Sequence, residues 1–248
     1  MDIAHDRHWL ALLGDAERVG AYLGEALERA QLVVGGDPAA APAAFIAIEE
    51  PSHLHALFRT EPEEGQPAVV LEYPLPAGGP AIGVEVVAVD PSDQGRTAIA
   101  TADLGGVQVV YFEPLPVHGP TETGPASVRF AGIALRLRTV DRVELDRMGA
   151  GPKLAALVPA ALVYPDHPSR PDWATFYGVV RSAARVPFAA GEIFKLDLVL
   201  LATEAGELVA TVYASEHVVD LGFEAVVGQV VSGVLWLCGH RVEAADEG

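Results

Sequence analysis

The sequence predicts a mostly β protein of the α+β class, with two antiparallel β modules and an N-terminal amphipathic helix. Three observations carry that expectation. Runs of β-branched and aromatic residues recur from residue 67 onward, as in Val69-Val70-Leu71-Glu72-Tyr73, Ile82 to Val89 and Val107 to Phe112. Such residues suit a pleated, half-buried surface. Pro/Gly clusters separate these runs at Pro74 to Pro80, Pro114 to Pro125 and Gly149 to Pro152, where regular structure is interrupted. Helical apolar spacing is strongest in one segment, Asp15 to Val34.

In that segment Val19, Tyr22, Leu23, Ala26, Leu27, Ala30 and Val33 recur every three or four residues, and Glu17, Arg18, Glu25, Glu28 and Arg29 fall mostly opposite. The pattern is that of a helix with one buried stripe. Asp15 is placed to cap it, because its carboxylate can accept from a free first-turn N–H. Trp9, Leu10, Leu12 and Leu13 form a short turn or helix before Gly14. Gly35 to Pro42 is a loop, Phe45 to Ile48 a short strand, and Ser52 caps a short helix through Phe58. Glu61 to Gly65 is an exposed acidic turn. The domain expectation is an acidic helical segment over 1–66, a first β module over 67–145, a proline-rich connection over 146–172, a second β module over 173–242 and an acidic tail over 243–248.

The two β stretches echo each other. Ile82-Gly83-Val84 resembles Tyr177-Gly178-Val179, and Val107 to Tyr111 resembles Val209 to Tyr213. Phe130 to Leu135 resembles Val231 to Trp236, with Gly132 and Gly233 in equivalent places. A glycine within a long strand permits a sharp bend, so one strand can serve two sides of a small closed sheet. Glu192 to Thr203, Glu207 to Val219 and Gln229 to Arg241 supply the remaining strands of the second stretch. This pattern resembles the small five-stranded barrel of the oligonucleotide/oligosaccharide-binding (OB) type. Two unrelated sheets of similar valine-rich composition would give the same echo, so both readings stand.

Charge narrows the possible partners. The chain of 248 residues has a formal net charge of −18, which repels polyanions and favours basic partners. The imbalance concentrates at the start, where residues 1–80 carry 4 basic and 13 acidic side chains. The lone cysteine, Cys238, cannot form an intramolecular disulfide, which points to a reducing, cytoplasmic setting. No secretion signal and no membrane span are expected: the first residues lack an apolar run, and apolar stretches such as Leu198 to Ala202 are far shorter than a bilayer needs.

Several residue groups invite a chemical reading. His53 and His55 have metal-ligand chemistry and would share a face if extended. A helix would part them by about 200°. His5 and His8 are one helical turn apart near the N-terminus. Asp166-His167, followed by Ser169, suggests a general base, but prolines surround it. Ser215-Glu216-His217 contains hydrolase residue types in consecutive positions, which alternate faces on a strand. Cys238 shares a strand face with Trp236 and reads as a small buried side chain. Trp173 and Tyr177, with Arg181 and Arg185, could stack and neutralise a single nucleic-acid strand. Lys195 and Arg241 are the other cations of that stretch, a thin footprint for binding driven by phosphate contacts.

The sequence therefore predicts a non-enzymatic binding or assembly protein, acting through protein–protein contacts with a basic partner and without a cofactor. Single-strand nucleic-acid binding through an OB-like barrel is one alternative. A metal-dependent enzyme using His53 and His55 is another.

Overall fold

The structure, a computed structural model, describes residues 3–35, 37–38, 41–91, 98–104, 106, 109–114, 122–141, 143–144, 163–167, 170–203 and 206–242. Two helices open the chain, α1 (Ile3–Leu13) and α2 (Ala16–Arg29). Asp15 caps α2, its carboxylate accepting from the Arg18 amide at 2.8 Å. Tyr22, Leu23 and Ala26 are buried on the predicted stripe. The helix ends earlier than its apolar spacing suggests. Ala30 is extended, and Gln31–Val34 forms strand β1. Val33 and Val34 lose side-chain freedom in a helix and are better placed in a strand, where β1 pairs with β2 (Ala43–Ala47).

β1 and β2 continue into β3 (Leu54–Glu63) and β4 (Gln66–Pro76), giving an antiparallel four-stranded sheet in chain order. The helix expected from Ser52 to Phe58 is thus a strand. Ser52 Oγ accepts from the Leu54 amide at 3.2 Å and donates to the Glu49 carbonyl at 3.3 Å, closing a turn rather than a helix. β3 is paired on both sides, so its backbone groups are satisfied in the extended form. β3 and β4 join through Glu64 and Gly65, at φ 51° and 79°. This two-residue turn sits next to the expected boundary at 66/67, and Val69 to Tyr73 pairs back onto β3.

The second sheet has nine strands: β5 (Ala81–Pro91), β6 (Ala98–Asp103), β7 (Val109–Pro114), β8 (Gly124–Thr139), β9 (Val163–His167), β10 (Arg170–Phe188), β11 (Gly191–Thr203), β12 (Gly206–Ala214) and β13 (Val230–Arg241). Their order is β11-β12-β8-β5-β6-β7-β13-β10-β9, with additional pairings of β11 to β10 and β8 to β13. Apart from β9, exchanging β5 to β8 with β10 to β13 leaves the pairing map unchanged. The two stretches expected to form separate antiparallel modules are joined instead. β7 runs parallel to β13, and β12 runs parallel to β8. Each of these short strands finds its second neighbour in the other stretch, which covers an edge that would otherwise be open.

β8 and β13 cross as an antiparallel seam at the centre of that sheet. Their backbones approach closely at two points. A Cβ on Gly132 would meet the Trp236 carbonyl oxygen, and one on Gly233 would meet the Arg136 carbonyl oxygen, both closer than atoms can pack. Two apolar clusters lie about the seam. One includes Val86, Phe112, Phe130, Phe176, Leu196 and Leu235. The other joins both helices and the four-stranded sheet to the nine-stranded sheet through Trp9, Tyr22, Phe58, Tyr73, Tyr213 and Trp236. Burying each large side chain contributes roughly 2–3 kcal/mol. Directed contacts fix this second layer. The Tyr213 hydroxyl lies 3.0, 3.2 and 2.6 Å from the carbonyl oxygens of Ser52, His53 and Ala77. The Trp236 indole donates to buried Glu113 at 2.9 Å, and His8 stacks on the same indole at 4.0 Å. No helix among the described residues is long and apolar enough to cross a membrane.

Candidate functional site: a cleft beside helix α2

The β10–β11 hairpin closes through Ala189 and Ala190, with Phe188 paired to Gly191. Phe188 and Ile193 flank this turn and are buried, facing α2. The Tyr22 and Phe188 rings meet at 5.1 Å. On the other side, the corner between α1 and α2 is held by the chain that follows β12. Ser215 Oγ donates to the Ala11 carbonyl at 2.5 Å and accepts from the His217 amide at 3.2 Å. The His217 imidazole lies over Gly14, which has φ 90°; a Cβ there would come within 2.6 Å of Nε2. That corner therefore needs glycine.

Helix, hairpin and corner enclose an open cleft of about 610 Å³, within the range of small-molecule sites. Leu12, Leu13, Tyr22, Phe188 and Ile193 form its apolar floor, and Arg18, Glu25, Arg185, Glu192, Glu216 and His217 its rim. The floor is electrically neutral. Burial, with Glu49 beside it, pushes the Tyr22 phenol well above its ordinary value, so the hydroxyl stays protonated and donates to Glu49 at 2.9 Å. Arg29 pairs with the same carboxylate.

The rim cations already have partners. Arg18 Nε lies 3.4 Å from Asp15, and the Arg185 guanidinium sits 4.3 Å from the centre of the Phe194 ring. Glu25, Glu192 and Glu216 are exposed and form no ion pair within 4.0 Å among the described residues. Ser215-Glu216-His217 does gather at this site, but Ser215 is buried with its proton committed to Ala11. Its role here is to brace the corner. An apolar floor within a charged rim has the chemistry to take an apolar side chain with charged groups on either side of it.

The remaining sequence-derived candidates are dispersed. Arg185 is on the cleft rim, whereas Arg181 pairs with Glu207 at 3.1 Å. The Tyr177 hydroxyl donates to Glu144 at 3.2 Å. Trp173 is half-buried, with the Arg7 guanidinium 5.5 Å from its ring and His8 edge-on at 5.9 Å. Trp173 and Arg185 are thus twelve residues apart along β10, in different surroundings. Lys195 Nζ lies 5.9 Å from the centre of the Tyr213 ring.

His53 and His55 have ring centres 6.4 Å apart but separate partners. His53 Nδ1 is 3.3 Å from Glu50, and His55 Nδ1 accepts from the Glu49 amide at 3.0 Å. Burial, then the neighbouring His53, lowers the His55 pKa. No group of three or more His, Cys, Asp or Glu side chains placed to hold a metal occurs among the described residues. Cys238 is buried on the Trp236 face, its thiol 3.1 Å from the Ala131 carbonyl. Asp166 and His167 fall in β9, but their side chains, that of His5 and the whole of Ser169 lie outside the described residues.

Sequence reasoning did not identify the floor. The signal available to it was the helical spacing of Arg18, Ala21, Tyr22 and Glu25 along one flank of α2. The hairpin that faces this flank lies more than 160 residues away in the chain. No family model matches the sequence, and neither a curated protein nor a solved structure matches it.

Proposed function

We propose that this protein is a non-enzymatic binding or assembly protein that engages another protein through the cleft beside α2. The observation that carries the reading is the cleft itself: an apolar, neutral floor bounded by charged side chains, with room for one large side chain and its flanking backbone. Its walls are held by packing and by the Ser215 and Tyr22 hydrogen bonds, and a preorganised site loses less entropy on binding. The nine-stranded sheet acts as the support. We read residues 82–139 and 177–241 as two copies of one OB-like barrel unit sharing the β8–β13 seam. The exchange symmetry of the pairing map and the equivalent close approaches at Gly132 and Gly233 favour that reading. On this account the protein works in the cytoplasm.

The test is selection of a displayed random-peptide library on the full chain, counter-screened with Ala21→Trp. Ala21 is exposed on the cleft wall, so an indole there occupies the cleft without entering the core. Peptides that bind the wild type and lose affinity for the variant support the reading. A selection yielding only peptides indifferent to Ala21→Trp removes it.

A further inference from the structure

Resting on that reading, we infer that the cleft takes a cationic segment: an apolar side chain seated on the floor, flanked by lysine or arginine. Three exposed acidic side chains around the rim, Glu25, Glu192 and Glu216, form no ion pair within 4.0 Å among the described residues, while the cations beside them are already engaged by Asp15 and Phe194. Counting charges around the rim would suggest near balance. With Arg18 offset by Asp15, three carboxylates outnumber the one remaining guanidinium, that of Arg185, which leaves a net negative ring around a neutral floor. Opposite charge on a partner would steer encounter and fix its register, whereas an acidic segment would bring like charges together.

The molecule as a whole acts in the same direction. The net charge of −18 repels anionic partners, including a second copy of this chain. Two further carboxylates on α2, Glu17 and Glu28, extend the negative field along the exposed side of the helix. The floor remains necessary, because exposed acidic side chains alone give weak, salt-screened attraction. Binding of such a segment requires both parts: buried apolar contact for affinity and the rim carboxylates for choice among segments.

The experiment uses three synthetic peptides of equal length with a central Leu-Phe, flanked by Lys, Ser or Glu, titrated by fluorescence anisotropy against the full chain. The Lys-flanked peptide is expected to bind about tenfold tighter than the Ser-flanked one at low salt, with the difference shrinking toward unity at about 0.5 M NaCl. The triple variant Glu25→Gln, Glu192→Gln, Glu216→Gln should lose most of that advantage while still binding the Ser-flanked peptide. Equal affinity for all three peptides, each abolished by Ala21→Trp, would overturn the cationic preference and leave the cleft as a binding site. Preference for Lys that survives the triple variant would also overturn it, by placing the attraction elsewhere. Failure of all three peptides, and of library selection, to show any cleft-dependent binding would remove the underlying reading as well.

Discussion

The β8–β13 seam and the cleft beside α2 are opposites in packing and exposure. At the seam, two long strands approach so closely that Gly132 and Gly233 each face a partner-strand carbonyl, and both apolar clusters draw residues from these strands. At the cleft, buried side chains form only the floor, and the rim is exposed and charged. Packing tolerates little change where atoms are already in contact, while exposed charges contribute little to stability. On the proposed reading, stability resides in the seam and recognition in the cleft, so each can be damaged while sparing the other.

The largest effect is expected at the seam. Gly233→Ala would force a methyl group onto the Arg136 carbonyl, displacing one strand from the other. A loss of about 3 kcal/mol or more is expected, read as a fall of about 10 °C in Tm. A Tm within about 2 °C of wild type would break the comparison on its structural side. Next is the junction between the sheets. Tyr213→Phe removes a hydroxyl lying within hydrogen-bonding distance of three carbonyl oxygens and is expected to cost about 2 kcal/mol in chemical denaturation.

A smaller effect depends on pH. His55 is partly buried, and its pKa in the folded protein is lowered, first by burial and then by His53. The unfolded chain therefore takes up this proton more readily. Stability should decline as pH falls below about 6.5, and the His55 contribution to that decline should finish once pH is under the folded value. His55→Gln removes the titrating group, so Tm measured from pH 7.5 to 5 should fall less steeply than in the wild type. An unchanged slope would show that His55 does not carry this dependence. The smallest stability effect is expected at the cleft: Ala21→Trp should stay within about 0.5 kcal/mol of wild type while abolishing cleft-dependent peptide binding.

Much of this architecture was legible in the sequence where the determinants are local. The Asp15 cap, the Tyr22-Leu23-Ala26 stripe, the buried pairing of Trp236 with Cys238 and most strands follow from spacing and side-chain shape. The failures occur where distant partners decide. Gln31 to Val34 continued a helical pattern, yet β2 offered a strand neighbour. Ser52 matched a helix cap, yet β3 is paired on both sides. β7 and β12 each pair across to the other stretch, which no local pattern specifies. The cleft was hidden for the same reason. Arg185 and the Ser215-to-His217 run were visible as residues, but their meeting with α2 depends on contacts between chain ends far apart in sequence.

The most direct test of the division between support and recognition is a paired measurement on Ala21→Trp and the wild type: Tm by calorimetry, and titration of a library-selected peptide in the same buffer. The account predicts matching Tm values and peptide binding by the wild type alone. Equal peptide affinity for both proteins would contradict it, because recognition would then reside away from the cleft.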